Sequence, residues 1–193
     1  MLKKLLCILL SLSMLALSGC SKSRRIDTAA LAEDVSVDFA DGQIIYTFYL
    51  LSSDEEPWPI EIPADSFEQA CLFAREKYIP NISLPKIKLL MINEKIYKNT
   101  LRQDIEYISS QPELSPLIYV ALCDFETTEN MKKDKRVSEI IENELLLIKD
   151  GDKNVSTNCL SVFNSLIQDR NKLCVSYISS EKELKVDIIN IIL

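Results

Sequence analysis

The hydrophobic positions of the chain change period several times, and each change marks an element. Val35-Ser36-Val37-Asp38-Phe39 alternates apolar and polar, the two-residue period of a strand. Asp41-Gly42 follows, a dipeptide that favours the tight turn of a hairpin. Ile44 to Leu51, rich in β-branched and aromatic side chains, reads as the returning strand. Residues 52–63 carry Asp54-Glu55-Glu56 and then Pro57, Pro59 and Pro63, which predicts a loop without ladder pairing. Asp65 or Ser66 can cap a helix with Glu68 near its third position. Phe67, Ala70, Cys71, Ala74 and Tyr78 then fall on one helical face, and Pro80 stops the helix.

Lys86 to Ile92 reads as a strand with an apolar centre, and Tyr97, Leu101, Ile105 and Ile108 as a helix ending before Pro112. Leu117 to Leu122 is a continuous apolar run, expected to be a strand buried on both faces. Val137, Ile141, Leu145 and Ile148 mark a third helix broken at Asp150-Gly151-Asp152, and Leu160, Phe163 and Ile167 mark a fourth. Val175 to Ile178 and Val186 to Leu193 close the chain as strands. The apolar last strand is expected to pair with its own sheet or with a partner. Helices alternating with apolar strands predict the α/β class (α+β-like): a mixed β-sheet with an N-terminal hairpin and about four helices packed on it.

The first twenty residues follow another logic. Lys3 and Lys4 precede an apolar run from Leu5 to Leu17. That run is shorter than the roughly 20 residues a membrane-spanning helix needs, and fits the hydrophobic region of an export signal. It ends in Leu17-Ser18-Gly19-Cys20, which looks like a bacterial lipobox. Cleavage is expected between Gly19 and Cys20, with a diacylglyceryl group on the Cys20 thiol and acyl chains such as palmitate. Residues 1–19 are then a lipoprotein signal peptide and residues 20–30 a lipid-anchored tether, basic at Lys22, Arg24 and Arg25. Two acyl chains anchor stably, whereas one is marginal.

Composition narrows the chemistry. The 193 residues carry 22 Lys and Arg against 29 Asp and Glu, so net charge is −7, with no His and only three Gly. An acidic chain without a basic cluster is not a nucleic-acid binder. Without His there is no Ser–His or Cys–His dyad, and with Gly only at 19, 42 and 151 there is no Gly-rich phosphate loop. Cys71, Cys123, Cys159 and Cys174 show no CxxC spacing and are expected to be buried small hydrophobes, with disulfides left open. No metal or cofactor is expected. Glu139, Glu142 and Glu144 read as one solvated helix face, and Lys132-Lys133-Asp134-Lys135-Arg136 as mixed-sign surface. Trp58, between two prolines, either anchors a partner or covers the edge of the core.

The order of these features resembles the N-terminal domain of the Ger(x)C family, the lipoprotein C subunits of spore germinant receptors. The resemblance starts at Gly19-Cys20 and runs through Arg24-Arg25-Ile26-Asp27, Ala30-Leu31 and Val35-Ser36-Val37-Asp38. It continues in the hairpin over 43–50, in Leu84 to Lys95, in Ile105 to Glu113 and in Leu117 to Ala121. Ser36 and Asn93 stand where the family favours Gly. The resemblance covers the N-terminal domain only, in a divergent or shortened form, and places that domain at residues 31–193. It implies a non-enzymatic subunit on the outer face of the cell membrane or the spore inner membrane. Two integral-membrane receptor subunits would be its partners, and its work would be done through protein contacts during nutrient-triggered germination. A stand-alone extracytoplasmic lipoprotein that binds a ligand or peptide is the alternative, and a hydrolase using carboxylates alone is a third. Cys20→Ala is expected to abolish incorporation of a fatty-acid probe and to release the protein from membranes; undiminished labelling of the variant contradicts the lipobox.

Overall fold

The computed structural model describes residues 30–51, 58–151, 155–168, 172–180 and 183–192. The segment expected to be a signal peptide, Cys20 and the Asp54-Glu55-Glu56 run lie outside the described residues.

Strands β1 (Ala30–Ala40) and β2 (Gln43–Leu50) form the expected hairpin, paired from Ala40↔Gln43 to Ala32↔Leu50. Asp41 and Gly42 have φ of 51° and 78°. A two-residue turn of this hand needs positive φ at both positions, which Gly adopts freely and Asp tolerates.

The proline-rich segment corrects the expectation of a loop. Trp58–Pro63 is strand β3, antiparallel to β2, with Leu50↔Trp58 and Ile45↔Pro63 as partners. The N–H of Ala64 bonds the Ile44 carbonyl at 3.1 Å. Even-numbered positions therefore turn their backbone groups to β2, and Pro59 and Pro63 lie on the outward side, where no ladder bond is lost. An edge strand tolerates proline for this reason.

Helix α1 (Phe67–Phe73) is capped by Ser66, whose Oγ accepts the Gln69 N–H at 3.2 Å. Gln69 rather than Glu68 reaches back, its Oε1 accepting the Asp65 N–H at 2.7 Å. The helix passes into a π-helical turn, Ala74–Tyr78. The wider turn shifts the helical phase, so Tyr78 is exposed while Phe67, Ala70, Cys71 and Ala74 are buried.

The remaining elements are β4 (Ile82–Ser83), β5 (Leu89–Asn93), α2 (Tyr97–Ser110), β6 (Tyr119–Cys123), α3 (Phe125–Lys133), α4 (Arg136–Gly151), α5 (Cys159–Ile167), β7 (Lys172–Ser179) and β8 (Lys185–Ile192). The sheet order is β3-β2-β1-β5-β6-β7-β8, with β4 beside the start of β1. Strands β1, β5, β6 and β7 are mutually parallel, and β8 returns antiparallel to β7, so the last strand pairs within its own sheet. The chain has the mixed α/β architecture that the pattern predicts.

Two helices depart from the pattern. Helix α3 has no apolar stripe, because its buried residues are Thr127, Thr128 and Met131; its start is set by Asp124, which accepts the Thr127 N–H at 2.8 Å. Helix α5 buries Cys159, Val162 and Leu166, not the face through Leu160 and Ile167, which are exposed.

Parallel strands need cover on both faces. On one face α1, α2 and α5 pack Phe67, Leu101, Ile105 and Val162 against Val35, Phe48, Leu90, Val120 and Val175. On the other, α3 and α4 pack Met131, Ile141 and Leu145 against Leu89, Met91, Ala121 and Ile178. Cys71, Cys123 and Cys159 are buried in these layers, as expected of small hydrophobes.

Inside the first layer Asp104 of α2 is almost wholly buried. Its Oδ1 accepts the Phe67 N–H at 2.9 Å, and the Tyr46 hydroxyl donates to Oδ1 at 3.1 Å and Oδ2 at 2.9 Å. One carboxyl therefore joins α2 to the first residue of α1 and to β2. Burial pushes Asp104 up to about 7 from 3.8, against the hydrogen bonds that lower it. Between those values the folded state holds a proton that the unfolded chain has lost, so stability falls as pH rises from about 4 to 7. Asp104→Asn is expected to flatten this loss, and denaturant midpoints of both proteins from about pH 4 to pH 7 check it. A wild-type profile no steeper than that of the variant contradicts the account.

Candidate functional site

The second face of the sheet is polar where the first is apolar. Along β1, Val35 and Val37 point to the larger core, and Asp34, Ser36 and Asp38 point beneath α3 and α4, all three buried. Tyr49 of β2 and Asn93 of β5 join them there. The Tyr49 hydroxyl lies 3.1 Å from the Ser36 Oγ and donates to the Thr128 carbonyl at 3.3 Å. Asn93 Nδ2 donates to Asp38 Oδ1 at 2.8 Å. Ser36, Asp38 and Asn93, three positions singled out by the family resemblance, thus lie in one buried polar seam.

Asp34 sits at the α4 end of the seam, near Ser138 and Glu142. Burial, then the neighbouring Glu142 charge, pushes its carboxyl up to about 7. Burial also raises Glu142, against the pull of Lys88. Two carboxyl groups in one site share a proton rather than ionise together. Around them Lys88 Nζ lies 3.3 Å from Glu33 and 4.0 Å from Glu142, and Lys135 Nζ lies 3.3 Å from Glu33. Further along, Lys132 ties α3 to the edge strand, 2.5 Å from Glu61 and 2.7 Å from Glu129 of its own helix. Glu142 is therefore not part of a solvated face, and Lys132 is not plain surface. Each carries a charge that partly buried partners fix, where the one-dimensional charge run shows only polarity.

Among the described residues, several buried polar atoms lack a hydrogen-bond partner, and four of them belong to this face: Asp34 Oδ1, Asp38 Oδ2, Thr47 Oγ1 and Ser176 Oγ. Burial raises the Asp38 carboxyl, with Thr128 and Asn93 pulling it down. Asp34 opens to a cleft lined by Glu33, Tyr49, Met131, Lys135 and Ser138, with room for about one water molecule. The seam can hold protons and lock helices onto the sheet. Among the described residues no three His, Cys, Asp or Glu side chains converge on a metal position.

Of the residues singled out in the sequence, Gly19 and Cys20 lie outside the described residues. Trp58 opens the edge strand β3 with its side chain 61% exposed, so it does not cover the core. The structure does not bring it to the polar seam. Sequence pattern alone does not mark Asp34 or Lys88 as members of a buried site, and it reads Glu142 as solvated. The available signal is the polar half of the β1 alternation, in a chain with too many helices for one face. No described helix is long and apolar enough to cross a membrane.

No curated protein and no solved structure matches the chain. The family model described as the spore germination protein N-terminal domain does match, over residues 22–179. That range takes in the hairpin, both helical layers and every strand but β8. The chain therefore belongs to the family of spore germination protein N-terminal domains.

Proposed function

We propose that this germination protein is a lipid-anchored, non-catalytic subunit of a spore germinant receptor, held to the membrane by diacylglyceryl-Cys20. The observation that carries the reading is the position of the family match, which begins two residues after the lipobox cysteine. Export signal, acylation site and germination domain stand in the order that an exported, membrane-held subunit requires. The partners are two integral-membrane receptor subunits, and the site of action is the outer face of the cell membrane or the spore inner membrane.

The chemistry of the domain supports a role in contact rather than conversion. The chain has no His. Two of its raised carboxyl groups make internal ties, Asp104 from α2 to α1 and β2 and Asp38 from β1 to β5. The cleft at Asp34 has room for about one water molecule, which supports a structural rather than a substrate-binding use of that carboxyl. Trp58 is free of the core and available for contact.

Chemical crosslinking of the tagged, lipidated protein in its native membranes, followed by affinity purification, tests the reading. Recovery of two integral-membrane subunits is expected. Recovery of the protein alone contradicts the receptor assignment and leaves a stand-alone lipoprotein that captures a ligand for itself.

A further inference from the structure

The point where the tether enters the domain carries exposed aromatic and aliphatic side chains. Ala30, the first residue of β1, pairs with Ile82 of β4, and the neighbouring Leu31 carbonyl accepts the Leu51 N–H at 2.7 Å. Ala32 pairs with Leu50, and Leu50 with Trp58, so Leu51 and Trp58 lie at the same end of the sheet as Ala30. Tyr78 lies four residues before Ile82, across a short turn closed by the Ile82 N–H on the Ile79 carbonyl. Leu51 is 45% exposed, Trp58 61% and Tyr78 47%. Three large, exposed apolar or amphipathic side chains therefore flank the tether exit, one on β3, one after β2 and one after α1.

The length of the tether decides what they face. Only nine residues separate Cys20 from Ala30. At about 3.5 Å per residue, even a fully stretched tether keeps Ala30 within roughly 35 Å of the acylated sulfur. The tether is basic at Lys22, Arg24 and Arg25, which draws it onto an anionic leaflet and shortens the working distance. Tethering of this length gives a weak surface contact a high effective concentration. Trp and Tyr are the side chains that settle at the headgroup level, with an apolar ring and a polar edge.

We propose that the tether-exit end of the sheet, led by Trp58 with Leu51 and Tyr78, rests in the headgroup region of the same bilayer that holds Cys20. The inference rests on the lipid-anchor reading. The domain then stands on the membrane in one orientation instead of swinging from its tether. The acidic Asp54-Glu55-Glu56 run next to Trp58 is repelled by an anionic leaflet, so apolar burial has to outweigh charge for the contact to form. The opposite end of the parallel strands, with Asn93, Asp124 and Ser180, faces away from the lipid.

Trp58 is the single Trp of the chain and therefore its own reporter. The acylated protein is reconstituted into phosphatidylcholine–phosphatidylglycerol vesicles with and without brominated acyl chains, and acylation is verified by intact mass. Loss of most of the Trp58 emission with brominated lipid, and a blue shift, are expected. Leu51→Glu, at an exposed position that leaves folding intact by circular dichroism, is expected to reduce the quenching. Vesicle-bound, acylated protein whose Trp58 emits as in solution overturns the docking while leaving the anchor standing. Absence of the acyl mass refutes the anchor instead. In that case the same quenching measurement is made on the unacylated Cys20→Ala chain at high lipid concentration, and an unquenched Trp58 there also overturns the docking.

Discussion

Four adjacent parallel strands set the terms for the rest of this fold. Strands β1, β5, β6 and β7 are buried on both faces, so each face must be covered by helices that the connections supply. The links from β1 to β5 and from β5 to β6 deliver α1 and α2 to one face, where α5 joins them. Only α3 and α4 reach the other, both from the single β6–β7 connection. The first layer is a large apolar core pinned by the Asp104 carboxyl. The second is smaller and polar, held by the Lys88, Lys132 and Lys135 ion pairs and the Tyr49 hydroxyl. Its unpartnered buried atoms make it the less fully satisfied of the two. Removing one member of such a network strands a buried charge, a larger loss than the net worth of the pair.

Much of this architecture is legible in the residues. The Asp41-Gly42 turn, the apolar runs of β5 and β6 and the stripe of α2 all follow from period and turn chemistry. Three features are not legible, each for a physical reason. Proline argues against a central strand, but β3 is an edge strand whose prolines face outward. Helix α3 is covered by polar atoms, so its period is invisible to a hydrophobic pattern and only the Asp124 cap marks it. The Leu160–Ile167 stripe of α5 is a real stripe on the exposed side, because Cys159, Val162 and Leu166 form a second one that the core takes. The polar seam was half visible: the β1 alternation shows that Asp34, Ser36 and Asp38 share a face, but not that two helices bury it.

Family membership and site geometry agree on the kind of protein this is. The match to a spore germination domain extends across both helical layers, and the buried carboxyl groups are occupied in holding those layers together. What remains for the outside world is surface: an exterior that exposes several large apolar side chains, Phe39, Leu117 and Ile167 among them, and an edge strand led by Trp58. In the proposed reading such a domain acts through where it is held and what it touches, with the lipobox and the germination domain serving one function.

That claim is tested most directly by germination itself. Spores of a deletion strain, complemented with the wild-type protein or with Cys20→Ala, are followed for loss of refractility after nutrient addition. The account predicts that deletion slows or abolishes the response to at least one nutrient mixture, that the wild-type protein restores it and that the unacylated variant does not. Unchanged germination of the deletion strain with every nutrient tested would contradict it.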